Sequence, residues 1–347
     1  SVQVASSLAP WAVGGSGKHW VALADGSPIG VRGRIVAYGL EPEASPAAAL
    51  ASALGTVRPL ANRERRDWLL KASLAHPPDA YGTGWALKQG VLAVGSGMHD
   101  VVLVTGAERM REVNNLDATD FIATLTHPLS EYVYGVTLPA HAAMFTRLYM
   151  AKYGVTERHL AMVAVKTQNQ AMANEFAHLQ QRITIQGILD SPEAMTNNPY
   201  VAEPLRFFDA CPVSDGGAAV ILVSEEKAKE LGRPMIRLSG IGQATDTHTV
   251  FEREEPTDLL AVRKAAQDAF AMSGLTPEDI DVAELHDAFT ILEIAESEEV
   301  GFFPKGEGHL ALERGETALG GKKPINDGGG LKGRGHPVGA TGVAQAW

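Results

Sequence analysis

The chain holds one cysteine, Cys211, among 347 residues. That excludes an intrachain disulfide and a cysteine-rich zinc site, since both need at least two thiolates; a single thiol can still be a nucleophile. Positive charge is in deficit, with 30 Lys and Arg against 41 Asp and Glu and a formal net charge of −11. The basic residues are scattered rather than gathered into a stripe facing phosphates, which argues against nucleic acid as a partner. No run approaches the roughly 20 consecutive apolar residues of a bilayer span, and Ser1 to Gly15 has neither a basic start nor a cleavable apolar core. With 45% apolar and 20% charged residues, the expectation is a globular, cytoplasmic chain without membrane association, long enough for about two domains at ~150 residues each. Glycine, by contrast, is abundant: the 36 glycines concentrate toward the C-terminus, which suggests tight loops built around a ligand.

From Ala86 onward, helical patterns alternate with short continuous apolar runs, as in a sheet covered by helices on both faces. Ala86 to Val94 reads as a helix stopped by Gly95-Ser96-Gly97, and Asp100 to Val104 as a strand. Gly217 to Val223 is a second strand, and Ser224-Glu225-Glu226 opens a helix with a capping hydroxyl and acids in its first turn. Pro234 to Gly240 reads as a strand, Leu259 to Met272 as a helix ended by Ser273-Gly274, and Thr276-Pro277-Glu278 as a cap-like turn. Asp281 to Leu285 reads as a strand running into His286, and Phe289 to Glu299 as the next helix. The class is α/β. Leu116 to Pro204, rich in Asn, Gln, Met and aromatics, looks like a loop domain over a binding surface. A helix, Ser-Gly, Asp-led strand order at Val94 to Val104 recurs at Met272 to Leu285, too briefly to establish duplication. Residues 1–79 differ: Pro46 to Gly55 is alanine-rich, residues 63–67 form a charge run, and Trp20 to Ala24 and Gly33 to Tyr38 are the best strand candidates, joined through a turn at Asp25-Gly26.

The stretch Asn326 to Gly342 carries the chemistry. Its glycines let backbone approach a ligand, and Pro337 stiffens the loop that presents His336. An imidazole so held can act as a base toward a thiol or donate to a developing oxyanion; the alternative is a structural glycine loop whose histidine bonds only to backbone. His286 likewise reads either as a site residue or as a cap of the Phe289 helix. Cys211, before Pro212 and near Phe207-Phe208, reads as a buried, inert thiol, and Glu108 as an acid that orders its loop.

The run Gly329-Gly330-Leu331-Lys332-Gly333-Arg334-Gly335-His336-Pro337-Val338-Gly339-Ala340-Thr341-Gly342 closely resembles the Gly-His-Pro loop of thiolases, especially the archaeal and sterol-carrier-protein type, acetyl-CoA acetyltransferase-like. His286-Asp287-Ala288-Phe289 looks like that group's form of the thiolase Asn-Glu-Ala-Phe motif. Pro204-Leu205-Arg206 with Pro212 to Ala219 resembles the segment joining the family's halves, and Asp100 to Met110 the strand and loop after its nucleophile helix. The four blocks keep the family's order across Ala86 to Gln345. The resemblance implies a five-layered α/β/α/β/α fold of two similar halves, 1–225 and 226–347, with a loop domain at 112–204, incomplete at both ends. It implies acyl-CoA chemistry, Claisen condensation or thiolysis of 3-ketoacyl-CoA, without metal or redox cofactor, in a homodimer or homotetramer of lipid metabolism. By the same resemblance His336 is the base and oxyanion donor, His286 positions a water or hydrogen-bonds the thioester oxygen, and Phe289, Gly335, Pro337, Gly339 and Ala340 line the substrate.

The departures concern sulfur. The nucleophile position falls on Tyr81 if Gly82-Thr83-Gly84 is aligned with one deletion, or on Ala80 without a gap, and neither is a thiol. A tyrosine with pKa near ~10 is a poor acyl acceptor, and alanine is none. Trp347 precedes the place of the family's second cysteine, and residues 1–79 do not resemble its N-terminal units, so the expectation is an altered N-terminus and a truncated C-terminus, as in a gene fragment. Three functions follow: an acyl-CoA C-acyltransferase by family that is inactive as this chain; a cysteine-less retro-aldolase using Tyr81 for proton transfer with an OB-fold acyl-CoA-binding partner; or a non-catalytic acyl-CoA-binding subunit.

Overall fold

A computed structural model describes residues 82–232 and 236–347, together with the backbone of two short strands at 19–22 and 28–31. Those strands, β1 (His19–Ala22) and β2 (Pro28–Val31), pair antiparallel with His19 opposite Val31 and Ala22 opposite Pro28. The first expected strand overlaps β1, and β2 was not expected; Gly33 to Tyr38, the Asp25-Gly26 turn, the alanine-rich stretch and the charge run lie outside the described residues. The chain continues through α1 (Gly82–Gly95), β3 (Val101–Arg109), α2 (Asn115–Ala123), α3 (Leu138–Tyr153) and α4 (Glu157–Gln170). Next come α5 (Ala194–Asn197), β4 (Tyr200–Ala202), β5 (Leu205–Arg206), β6 (Asp215–Val223) and α6 (Glu225–Leu231). It ends with α7 (Leu260–Ser273), α8 (Thr290–Glu299), α9 (Gly308–Glu313), α10 (Gly330–Arg334) and α11 (Val338–Ala346). These elements divide into two compact units, one of residues up to Glu112 with Ser214–Ile236 and Pro337–Trp347, the other of Val113–Val213 and Arg237–His336.

In the first unit β3 and β6 pair antiparallel along their full lengths, Val101 opposite Val223 and Arg109 opposite Asp215. Helices α1 and α11 cover this ribbon, and Ala86, Val102, Val104 and Val343 form the buried core. Gly90 brings α1 close, because a Cβ there would stand 2.7 Å from Val104 Cγ2. Ser224 caps α6 as its sequence foretells, its hydroxyl accepting the Lys227 N–H. The expected sheet covered on both faces is, among the described residues, a two-stranded ribbon, and no residue of β6 is fully buried.

The second unit is mostly helical. Tyr149, Leu160, Val163, Leu205, Ile291, Ile294, Ala295 and Leu312 interlock as its core. Helix α8 is enclosed along its length although four of its ten residues are glutamates, and each acid is met by a donor. Glu293 takes the Lys166 ammonium at 2.7 Å and the Asn326 amide at 2.9 Å. Glu296 takes the His286 N–H, Glu298 the Tyr149 hydroxyl with the Gly306 and Gly308 N–H groups, and Glu299 the Arg263 and Lys305 side chains with the Leu259 N–H. Buried carboxylates persist only with such partners.

Two expected strands are corrected here. Of the strand expected at Pro234 to Gly240, Pro234 and Met235 lie outside the described residues and Ile236 to Gly240 are not in a ladder; Gly240 and Gly242 instead lie against α7, where a Cβ on Gly240 would overlap the Ala269 carbonyl and one on Gly242 the Ala265 carbonyl. Asp281 to Leu285 makes a single parallel bridge, Ala283 to Ile325. An apolar run announces extended backbone, but a strand also needs a neighbour of matching length, which local sequence does not reveal. The helix ends fare better: Gly274 closes α7 at φ +73°, and Thr276 with Asp279 forms a reciprocal capping box.

Candidate functional site

His286 stands between the bridged residue Ala283 and the N-terminus of α8, for which Phe289 is the cap residue in extended conformation. His336 follows α10 through Gly335, whose φ of 110° is open only to glycine. The fold brings the two imidazoles together, with ring centroids 4.9 Å apart and planes at 86°. Residues 210–213 knit the two segments from below: Ala210 bridges Phe289, the Cys211 N–H donates to the Ala288 carbonyl at 2.9 Å, and Val213 bridges His336.

Both rings are held uncharged at neutral pH. Burial, then the Arg334 guanidinium, takes His286 from 6.5 to about 4; burial, then His286 and Arg334, takes His336 from 6.5 to about 3. Each neutral imidazole offers one N–H donor and one acceptor nitrogen, so the pair can hold an oxyanion or position a water but cannot supply positive charge. Beneath them, burial raises Asp287 to about 7 and Glu296 to about 8, in each case with Glu293 adding to the rise. Lys332 is buried, its ammonium donating to the Ala210 carbonyl, and burial lowers its pKa.

Cys211 lies beside this cluster, but burial pushes its thiol up to about 12 despite the Lys332 charge. A thiol so poised is a poor nucleophile. Tyr81 and Ala80, the two alignments of the nucleophile position, lie outside the described residues. Pro337, Gly339 and Ala340 fall in the first unit. There Pro337 packs where a Cβ on Gly216 would stand 2.8 Å from its Cγ, the Gly339 N–H donates to Glu108 Oε2 at 3.2 Å, and Ala340 is buried. Glu108 also accepts the Arg109 N–H at 3.2 Å, and burial raises its pKa; it orders its loop. Among the described residues no three His, Cys, Asp or Glu side chains converge to hold a metal ion, and no helix is long and apolar enough to cross a membrane.

Sequence reading missed the supports of the pair. Glu293, Lys166 and Asn326 form a buried chain, and the Asn326 side chain in turn accepts the Leu285 N–H at 2.8 Å, fixing the approach to His286. The available signal was acid among the apolar positions of the helix: Glu293 and Glu296, three apart in Thr290 to Glu299, share a face that a solvated helix would turn outward.

Comparison with known proteins identifies the family. Residues 83–226 match the family model of the thiolase N-terminal domain, and residues 242–347 that of the thiolase C-terminal domain-like. Over 263 residues the chain is 42% identical to an acetyl-CoA acetyltransferase of Methanothermobacter thermautotrophicus, covering 76% of this chain and 66% of that protein. It is 36% identical to a steroid side-chain-cleaving aldolase of Thermomonospora curvata, over 61% of this chain and 54% of the other. Among solved structures, the Ltp2-ChsH2(DUF35) aldolase aligns with a TM-score of 0.65 at 32% identity, over 77% of this chain and 68% of that one. The chain thus spans about two thirds or less of the two curated relatives (66% and 54%). With both domain models matched in order and the paired histidines in the expected motifs, the chain belongs to the thiolase family.

Proposed function

We propose that the His286–His336 site takes a coenzyme A thioester and breaks a carbon–carbon bond of its acyl chain by a retro-aldol step that forms no cysteine thioester. The observation that carries this reading is two uncharged imidazoles 4.9 Å apart, in a chain whose one thiol is held at about 12. In a 3-hydroxyacyl-CoA, a base removes the hydroxyl proton and the oxygen becomes the carbonyl of a departing aldehyde or ketone. The electrons of the broken bond pass to the thioester as an enolate, and a returned proton at the α-carbon gives the shortened acyl-CoA. Imidazole N–H groups aimed at the thioester oxygen stabilise that enolate where its charge develops, and Tyr81 is assigned the proton transfer. The step needs no metal or redox cofactor. Similarity to two aldolases supports it, and the two-component name of the solved one supports a partner protein, which we take to be an OB-fold acyl-CoA-binding chain. We place the protein in cytoplasmic lipid metabolism, as a homodimer or homotetramer.

The second reading, acyl transfer, is favoured by the 42% identity to an acetyl-CoA acetyltransferase; under it these 347 residues, with no thiol at the nucleophile position, are inactive. The deciding experiment offers the chain, with and without the partner, a 3-hydroxyacyl-CoA or acetoacetyl-CoA plus coenzyme A, and follows the products chromatographically. The expected result is aldol cleavage that falls in Tyr81→Phe, and no thiolysis. Thiolysis by this polypeptide refutes the proposal, and thioester binding with neither turnover makes the chain a binding subunit.

A further inference from the structure

We propose that Asp287 is a positioning residue for the histidine pair, its carboxylate tying the segment that carries His286 to the helix that leads into His336. This deepens the function proposed above and rests on it only for its kinetic readout.

Asp287 is the residue after His286 and has no exposed surface. Its Oδ1 accepts the Leu331 N–H at 2.7 Å, at the start of α10 and five residues before His336. A second side chain joins the same segments, but more loosely: Glu284 accepts the Gly328 N–H at 3.3 Å and meets Arg334 at 3.5 Å, at a partly exposed position. Of the two, the Asp287 bond is the shorter, and its burial protects it from competition with water. The Asp287 bond therefore sets the spacing. Backbone bridges through residues 210–213 hold the segments alongside each other without specifying how far α10 advances along the His286 segment.

Two further observations fit a retained role. Asp287 Oδ2 is buried with no hydrogen-bond partner, a cost that an apolar residue would avoid. The surrounding backbone is also shaped to admit the carboxylate: Gly330 has φ +56°, and a Cβ there would stand 2.7 Å from Asp287 Oδ1 and nearer still to Oδ2. Glycine at 330 lets α10 close onto the acid.

The test is a through-space NMR contact between the His286 and His336 ring protons, measured on the full chain without substrate. The His159–His309 pair, with centroids 4.9 Å apart in the same unit, reports whether that unit remains folded. In Asp287→Ala the His286–His336 contact is expected to vanish while the His159–His309 contact persists. Asp287→Asn, which keeps an acceptor, should restore it. Gly330→Ala, which drives α10 off an intact carboxylate, should lose it. Given a substrate, Asp287→Ala should lower kcat by about 10–100-fold, as loss of an orienting partner does, with KM within about twofold. Persistence of the His286–His336 contact in Asp287→Ala or in Gly330→Ala overturns the inference, as does its loss in a folded Asp287→Asn. If Asp287→Ala loses both contacts by unfolding, Asp287→Asn and Gly330→Ala decide. Because the NMR contact requires no turnover, an altered contact in a chain with no aldol activity would refute the function alone.

Discussion

Lowering the pH is the most direct probe of the site. Histidines at about 4 and about 3 remain largely neutral where ordinary ones do not: at pH 5 a group at 4 is about 90% neutral, whereas one at 6.5 is about 97% charged. Charging either ring in the folded chain costs on the order of 2–3 kcal/mol relative to the unfolded chain, after allowance for the solvent each half-buried ring still meets. The unfolded chain takes up these protons first, so the histidines' contribution to stability is complete above about pH 6.5 and falls as pH drops from there toward 4. Asp287 and Glu296 have the opposite sign. Burial raises them to about 7 and about 8, so the folded chain keeps protons that the unfolded chain releases above about pH 4, and their contribution falls as pH rises toward 8. The two effects offset in any measurement of global stability, so the assay must watch the rings. Site-resolved 15N shifts of His286 and His336 should show both neutral from pH 8 down to about 5. Arg334→Met should raise both midpoints, by less than burial lowers them. A midpoint above about 6 for either ring in the folded chain would refute a pair that acts without charge.

Two other substitutions test the platform. Lys166→Met leaves Glu293 buried without its cation and should cost about 3–5 kcal/mol by urea unfolding of the full chain; a loss below about 1 kcal/mol would mean that water reaches the carboxylate. With its thiol at about 12, Cys211 is about 0.01% thiolate at pH 8; iodoacetamide should alkylate it far more slowly than a free thiol, and Cys211→Ala should retain any carbon–carbon cleavage.

How much of this was legible depended on distance along the chain. The ends of α6 and α7 were written in Ser224 and Gly274, because caps are decided by residues a few positions apart. The extended run Asp281 to Leu285 was visible, but not that its partner reduces to one bridge at Ile325. His286 and His336 stood out because each sits in a short local motif that resembles the family's, and the structure brings their ring centroids to 4.9 Å. The link from Asp287 to Leu331 spans 44 positions, and the pair Lys166 and Glu293 joins two helices of the second unit. Neither bond leaves a periodic trace in the sequence.

The glutamates enclosed in α8 also bear on how the second unit comes together. Their donors arrive from Tyr149, Lys166, Leu259, Arg263, His286, Lys305, Gly306, Gly308 and Asn326. These donors are spread over a long span of chain, the last of them at Asn326, and an acid docked before its donors have been made would lie unpaired in a dry interior. Within the second unit, therefore, the acids of α8 gain their full set of donors only when segments from Tyr149 to Asn326 are all in place.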